Sequence, residues 1–199
     1  MQGLPIVISA PSGTGKTTLS KLLLDANSNS LMSVSFTTRE PRKGEENGID
    51  YNFVSEKQFL HMVDTDQLVE WAEVHGFFYG TSKTWIHEQV DAGKDVILVL
   101  DVKGGRQLKR TFPSAILVFL VPPEFSALEE RLRRRGTDSE EIIQKRLAAA
   151  KDEIATGLKY YDYVVTNAQI QTALQDILSI VRTHKIQMVD RHKIFDTLI

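Results

Sequence analysis

An α/β fold built on a doubly wound parallel sheet is predicted by short, β-branched, almost unbroken apolar runs and by the helical stretches that alternate with them. The runs are PIVIS (5–9), DVILVL (95–100) and AILVFLV (115–121), a pattern expected of strands covered on both faces. A glycine-rich turn, ISAPSGTGKTT (8–18), falls where the first strand gives way to the first helix.

In chain order, the first helix begins at Lys16 and continues TTLSKLLLDA. Residues 33–81 break the rhythm with short alternating segments such as DYNFV, turn signals at Gly44 and Asn47-Gly48, and one modest helical stretch, SEKQFLHMV. An inserted α+β lobe over about 33–83 is therefore expected. After DVILVL comes the helical stretch KGGRQLKRTF; after AILVFLV, Pro122 and Pro123 block the strand's continuation and EFSALEERLRRR follows. From Ser139, the residues Ile143, Leu147, Ala150 and Ile154 share one helical face. A strand at YVVTN precedes a last helix whose core face carries Ile170, Leu174, Ile177, Leu178 and Val181. These elements read as one domain over 4–183, followed by a mixed C-terminal tail over 184–199.

At 199 residues and 42% hydrophobic content, the chain is long enough for one well-buried core. A formal charge of -2 supplies no global basic field, which argues against generic binding to nucleic acid or anionic membranes and leaves any anion site local. Without cysteine there is no disulfide, thiolate nucleophile or cysteine-ligated metal, and the five histidines show no metal-ligand spacing. The start MQGLPIVIS lacks a charged leader, and no apolar run approaches the ~20 residues that span a bilayer, so a soluble, cytoplasmic protein is expected.

The turn after the first strand nearly fits the template G-x-x-x-x-G-K-[ST], with Ala10 in place of the first glycine. Such a loop works because successive backbone N–H groups surround phosphate oxygens at the positive end of a helix. Gly13 and Gly15 leave that approach open, Lys16 can reach the β- and γ-phosphates, and the Thr17 hydroxyl suits Mg²⁺. Ala10 adds only a methyl at the strand exit, where a negative φ would keep the loop's shape. The segment Ala10, Pro11, Ser12, Gly13, Thr14, Gly15, Lys16, Thr17 is the candidate nucleotide-phosphate site of a P-loop NTPase. Loop and fold do not name the reaction, because ATPases, GTPases and small-molecule kinases share them.

In SFTTREPRKGEENGIDYNF, Arg39 and Arg42 lie three apart with Pro41 between them. Planar guanidinium forks pair with phosphate oxygens, so this stretch suits a phosphate monoester, with Tyr51 and Tyr79 adding hydroxyl donors; a solvated loop has the same charge pattern.

Together with E-W-A-E-V-H-G-F-F-Y-G-T, R-L-x-x-R-G-T-D-S-E-E and K-R-L-A-A-A, the motifs S-x-S-x-T-T-R-x-P-R and G-x-D-Y resemble the guanylate kinase family, in order, over about residues 4–183. The resemblance implies ATP-dependent phosphorylation of GMP, and of dGMP, to the diphosphate in purine nucleotide metabolism, with Mg²⁺ as cofactor. It also implies a core with a GMP-binding lobe and a mobile helical lid at about 131–148. On it, Arg39, Arg42, Tyr51 and Tyr79 correspond to ligands of the GMP phosphate, and Ser35, Glu70 and Thr81 to guanine contacts. The chemistry of Glu70 agrees: guanine offers N1–H and an exocyclic amine side by side, two donors that a carboxylate can accept. Adenine would leave that carboxylate unpaired, at a cost of a few kcal/mol, on the order of 2.

The family commonly reads L-D-x-D where this chain has Leu98-Val99-Leu100-Asp101, so an acid that often contacts GMP is replaced by Val99. Asp101 keeps a place at a strand's C-terminal end, from which it would orient Mg²⁺ through water; capping the strand is its other reading. Resemblance puts Arg131, Arg135 and Arg146 in the lid over the ATP phosphates, as catalytic cations beside Lys16 and Arg39. Arg133 and Arg134 read as solvated charge. Two other readings share the pattern: a guanylate-kinase-shaped scaffold that binds phosphopeptides, and a kinase of a phosphorylated sugar. The intact Lys16, Thr17 and lid arginines speak against the first.

Overall fold

The central strand, β1 (Pro5–Ser9), is buried along its whole length, because parallel strands flank it and helices cover both its faces. A computed structural model of the chain describes residues 2–74, 76–134 and 139–187. Beside β1 lie β7 (Asp95–Val99) and β8 (Ile116–Val121), with β2 (Ser30–Met32) and β9 (Tyr163–Thr166) at the edges. All pairings in this five-stranded sheet, β2-β7-β1-β8-β9, are parallel.

The strict alternation of side chains along a strand sorts the apolar runs into two cores. Ile6, Ile8, Ile97, Ile116, Val118 and Leu120 face one side, where α1 (Lys16–Ala26) and α7 (Ile170–Gln187) bury Leu19, Leu23, Leu174 and Ile177. Val7, Val96, Leu98, Leu117 and Phe119 face the other, against Ile86 and Val90 of α3 (Lys83–Asp91) and Leu108 of α4 (Val102–Thr111). A separate cluster of Leu128, Leu132, Ile143, Leu147 and Ala150 joins α5 (Phe125–Arg134) to α6 (Glu140–Tyr160).

The segment read as an insertion folds as its own four-stranded sheet of order β4-β3-β6-β5, from β3 (Phe36–Thr37), β4 (Asn52–Phe53), β5 (Leu68–Val74) and β6 (Phe77–Ser82). Between β4 and β5, α2 (Glu56–Asp64) starts in a capping box in which Ser55 and Gln58 bond reciprocally, and it buries Phe59. The turn signals are real: Gly44 and Gly48 have φ of 91° and 81°.

Two elements escape the sequence reading. β2 has only three residues and pairs on one side alone, too short for a pattern, and α3 shows only Ile86 and Val90 as a buried stripe. The tail's first residues continue α7 as far as Gln187, and 188–199 lie outside the described residues. Among the described residues, no helix is long and apolar enough to cross a membrane.

Candidate active site

Because its strands run parallel, the core sheet gathers the exits of β1, β7, β8 and β9 along one edge, where a doubly wound fold presents its ligand sites. The β1 exit leads into the loop 10–17. Gly13 and Gly15 hold φ of 94° and 96°, a region that a side chain disfavours, and Gly15 opens α1 as its N-cap. A Cβ on Gly15 would stand 2.8 Å from Asn167 Nδ2. Ala10 is absent from the positive-φ residues, so its methyl, 6% exposed, is accepted without strain.

Several elements brace this loop. Asn167, just past β9, donates from Nδ2 to the Thr14 carbonyl oxygen at 2.7 Å, and Arg131 of α5 donates to the Asn167 carbonyl at 3.3 Å and more weakly to that of Thr14. Arg146 of α6 donates to Ser12 Oγ at 3.3 Å. Lys16 is drawn below its ordinary pKa by burial, against the opposing pull of the nearby Glu153 and Asp101 carboxylates. Burial likewise raises Glu153. Asp101 N-caps α4, its Oδ1 accepting the Gly104 amide at 2.7 Å, so the cap it forms is on the helix and not on the strand as the alternative reading has it; the residue remains exposed at the β7 exit.

Between the two sheets lies a cleft of about 350 Å³, lined from the core by Thr17, Lys21 and Val99 and from the inserted segment by Ser35, Asp50, Tyr51 and Thr81. On its wall Thr81 Oγ1, fully buried, donates to Glu70 Oε1 at 2.6 Å, and Ser35 Oγ stands 3.5 Å from Thr81 Oγ1. β5 and β6 set Glu70 opposite Thr81 in register. Burial lifts the Glu70 carboxyl to about 7, the Thr81 hydrogen bond pulls it down, and the Asp101 charge adds to the rise.

Arg39 forms the centre of a second polar group. Its Nη2 donates to Glu45 Oε1 at 2.9 Å, its carbon Cζ lies 5.4 Å from the Tyr51 ring centre, and Tyr79 lies close enough to add to the rise of its pKa. Tyr51 and Tyr79 meet edge to face at 5.9 Å. Glu45 Oε2 also accepts the Arg42 amide at 2.8 Å, so one carboxylate occupies the space between the two arginines, and the Arg42 side chain remains exposed at the rim.

The expected guanine contacts Ser35, Glu70 and Thr81 thus form one connected group, Arg39, Tyr51 and Tyr79 form another, and Lys16, Arg131 and Arg146 converge on the loop. Arg135 lies outside the described residues. Arg133 forms ion pairs with Glu129 and Glu140 on the surface, away from the loop, as a solvated charge does. Sequence reasoning missed Asn167 and Glu153. The first stands at the C-terminal end of a core strand, a position that signals a ligand edge; the second carries no local signal, being one charge among many on a long helix.

A phosphate-type loop at a strand exit, facing a polar cleft on an adjoining sheet, defines a P-loop NTPase of the nucleoside monophosphate kinase class. The family model described as guanylate kinase matches residues 2–184. The guanylate kinase of Dechloromonas aromatica is 48% identical over 92% of this chain and 90% of its own length, and that of Aromatoleum aromaticum 44% identical over 97% and 94%. The crystal structure of guanylate kinase from Anaplasma phagocytophilum superposes with a TM-score of 0.73 at 34% identity, over 94% of this chain and 88% of that one. The chain belongs to the guanylate kinase family.

Proposed function

We propose that the loop 10–17 grips ATP and the facing cleft grips GMP, with dGMP as a second acceptor, in a core with a lobe over about 33–83 and a lid over about 131–148. The chain is an ATP:GMP phosphotransferase, giving ADP and GDP. The observation that carries the assignment of the cleft is the buried Thr81–Glu70 hydrogen bond of 2.6 Å with Ser35 beside it, an acceptor group matched to the N1–H and amine of guanine. The Arg39, Tyr51 and Tyr79 group supplies donors for the GMP phosphate, which displaces or shares the Glu45 carboxylate.

A phosphate oxygen of GMP attacks the γ-phosphorus as the bond to the β–γ bridging oxygen breaks, and ADP departs with that electron pair. With its second pKa of about 6, the attacking phosphate is already ionised at neutral pH, so no general base is needed. Lys16, Arg39, Arg131 and Arg146 neutralise charge on the transferring group and on the acceptor, and the loop amides hold the donor in line. Thr17 and Asp101, an exposed hydroxyl and an exposed carboxylate at adjoining strand exits, fit Mg²⁺, which takes few protein oxygens and keeps its remaining positions for phosphate and water. When bound, the ion supplies charge neutralisation at the β- and γ-phosphates.

Coupled ADP-release assays with GMP, dGMP, AMP and ribose phosphates test the reading. Turnover with GMP and dGMP alone is expected; turnover with AMP or a ribose phosphate in their place overturns it.

A further inference from the structure

The seat of Glu70 is completed by a glycine on the opposite wall. Gly104 lies in the first turn of α4, and a Cβ built on it stands 3.0 Å from Glu70 Oε2 and 3.5 Å from Glu70 Cδ. Nothing in the backbone calls for glycine there: Gly104 is not among the residues of positive φ, and inside a helix alanine is the better helix former. The steric approach of Glu70 is therefore what the absent side chain permits.

Only one end of the Glu70 carboxylate is held. Glu70 Oε1 is held by the buried Thr81 hydroxyl at 2.6 Å. The Gly104 amide donates to Asp101 Oδ1 at 2.7 Å, and that same oxygen would lie 3.4 Å from the added Cβ. A methyl at 104 meets Asp101 at ordinary contact distance but crowds Glu70 Oε2, which has to shift by a few tenths of an ångström out of its seat.

We propose that Gly104 is a specificity-determining residue for the acceptor: its bare Cα lets the Glu70 carboxylate settle against the first turn of α4, at the depth from which it meets the N1–H and amino edge of guanine. This rests on the reading of Glu70 as a guanine contact. Gly104 acts through Glu70 and is a positioning residue.

The test is a double-mutant cycle on the full chain, comparing wild type, Gly104→Ala, Glu70→Asp and the double variant, with Glu70→Gln alongside. Steady-state kinetics are read with GMP, with inosine monophosphate, which lacks the amino group, and with ATP varied. Gly104→Ala is expected to lower kcat/KM for GMP about tenfold and to narrow the preference for GMP over inosine monophosphate. The KM for ATP stays within about twofold, and the melting temperature does not fall, because the helix gains a better former. The shorter aspartate makes room for the methyl, so in the Glu70→Asp background the alanine adds little further loss. Unchanged GMP selectivity in Gly104→Ala, or fully additive losses in the double variant, overturns the inference. If Glu70→Gln still impairs GMP in that case, the reading of Glu70 stands; if Glu70→Gln leaves GMP use intact, that reading fails with it.

Discussion

Tyr161 donates its phenolic hydrogen to Ser9 Oγ at 2.6 Å, and Ser9 donates its own to the Leu100 carbonyl oxygen at 2.7 Å. Both residues are buried, and the pair ties the end of α6 to the exits of β1 and β7, the strands that carry the loop and Asp101. Burial pushes the Tyr161 hydroxyl up to about 12, so it stays a donor throughout the working range. Tyr161→Phe is expected to lower unfolding free energy by about 1 kcal/mol, and Ser9→Ala, which leaves the buried phenol only the Asp101 carbonyl oxygen at 3.4 Å, by about 1–3 kcal/mol. Denaturant titration checks both. Gly105→Ala is expected to be worse, because its Cβ would lie 2.2 Å from the Tyr161 oxygen.

Lys16→Met is expected to reduce kcat by about 10³-fold or more while the protein stays folded, because the methionine keeps the length of the side chain and removes its charge. Single-turnover kinetics with circular dichroism as the folding check measure this. A drop in melting temperature parallel to the activity loss would assign Lys16 a structural role.

Gly15→Ala meets two obstacles, a φ of 96° and the Asn167 amide 2.8 Å from the new methyl. The left-handed conformation alone costs about 1–2 kcal/mol. The KM for ATP is expected to rise about 5- to 30-fold, by about that energy, with the KM for GMP little changed. Asn167→Ala, which frees the Thr14 carbonyl, is expected to shift the same parameter in the same direction.

If it meets the guanine edge as proposed, Glu70 makes acceptor binding depend on pH. Its folded pKa, about 7, lies above the ordinary 4.5, so the folded protein binds the extra proton between these values. Relative to the unfolded chain, the residue is neutral in effect below pH 4.5 and becomes a destabilising burden as pH rises towards 7. Glu70→Gln is therefore expected to be more stable than wild type at pH 8 and equal to it at pH 4. On the proposed reading guanine takes the ionised form, so GMP binding at about pH 6.5 is expected to release protons from Glu70. Calorimetry in buffers of different ionisation enthalpy reads that release, and Glu70→Gln is expected to lack it.

Val99 puts an apolar wall, 36% exposed, where the resemblance leads one to expect an acid. Val99→Asp is expected to lower the KM for GMP severalfold without loss of stability, since the position already meets solvent. Titration of GMP at fixed ATP measures the shift.

The core was legible because its strands are buried on both faces, which writes them as unbroken runs such as ILVFLV, and because Gly13 and Gly15 must stand where a side chain would intrude. Less was legible where contacts join distant residues through the fold. Glu45 between Arg39 and Arg42 leaves no periodic trace, nor does the approach of Glu70 to Gly104 or of Tyr161 to Ser9. The short β2 and α3 were lost for a different reason, because their stability comes from docking onto β7 and the core and not from an amphipathic pattern of their own.

A crystal structure with GMP bound tests the facing-sites reading most directly. The guanine edge is expected against Glu70, Thr81 and Ser35, with the phosphate among Arg39, Arg42, Tyr51 and Tyr79. Density for GMP in the loop at Lys16, with the cleft left to solvent, would contradict it.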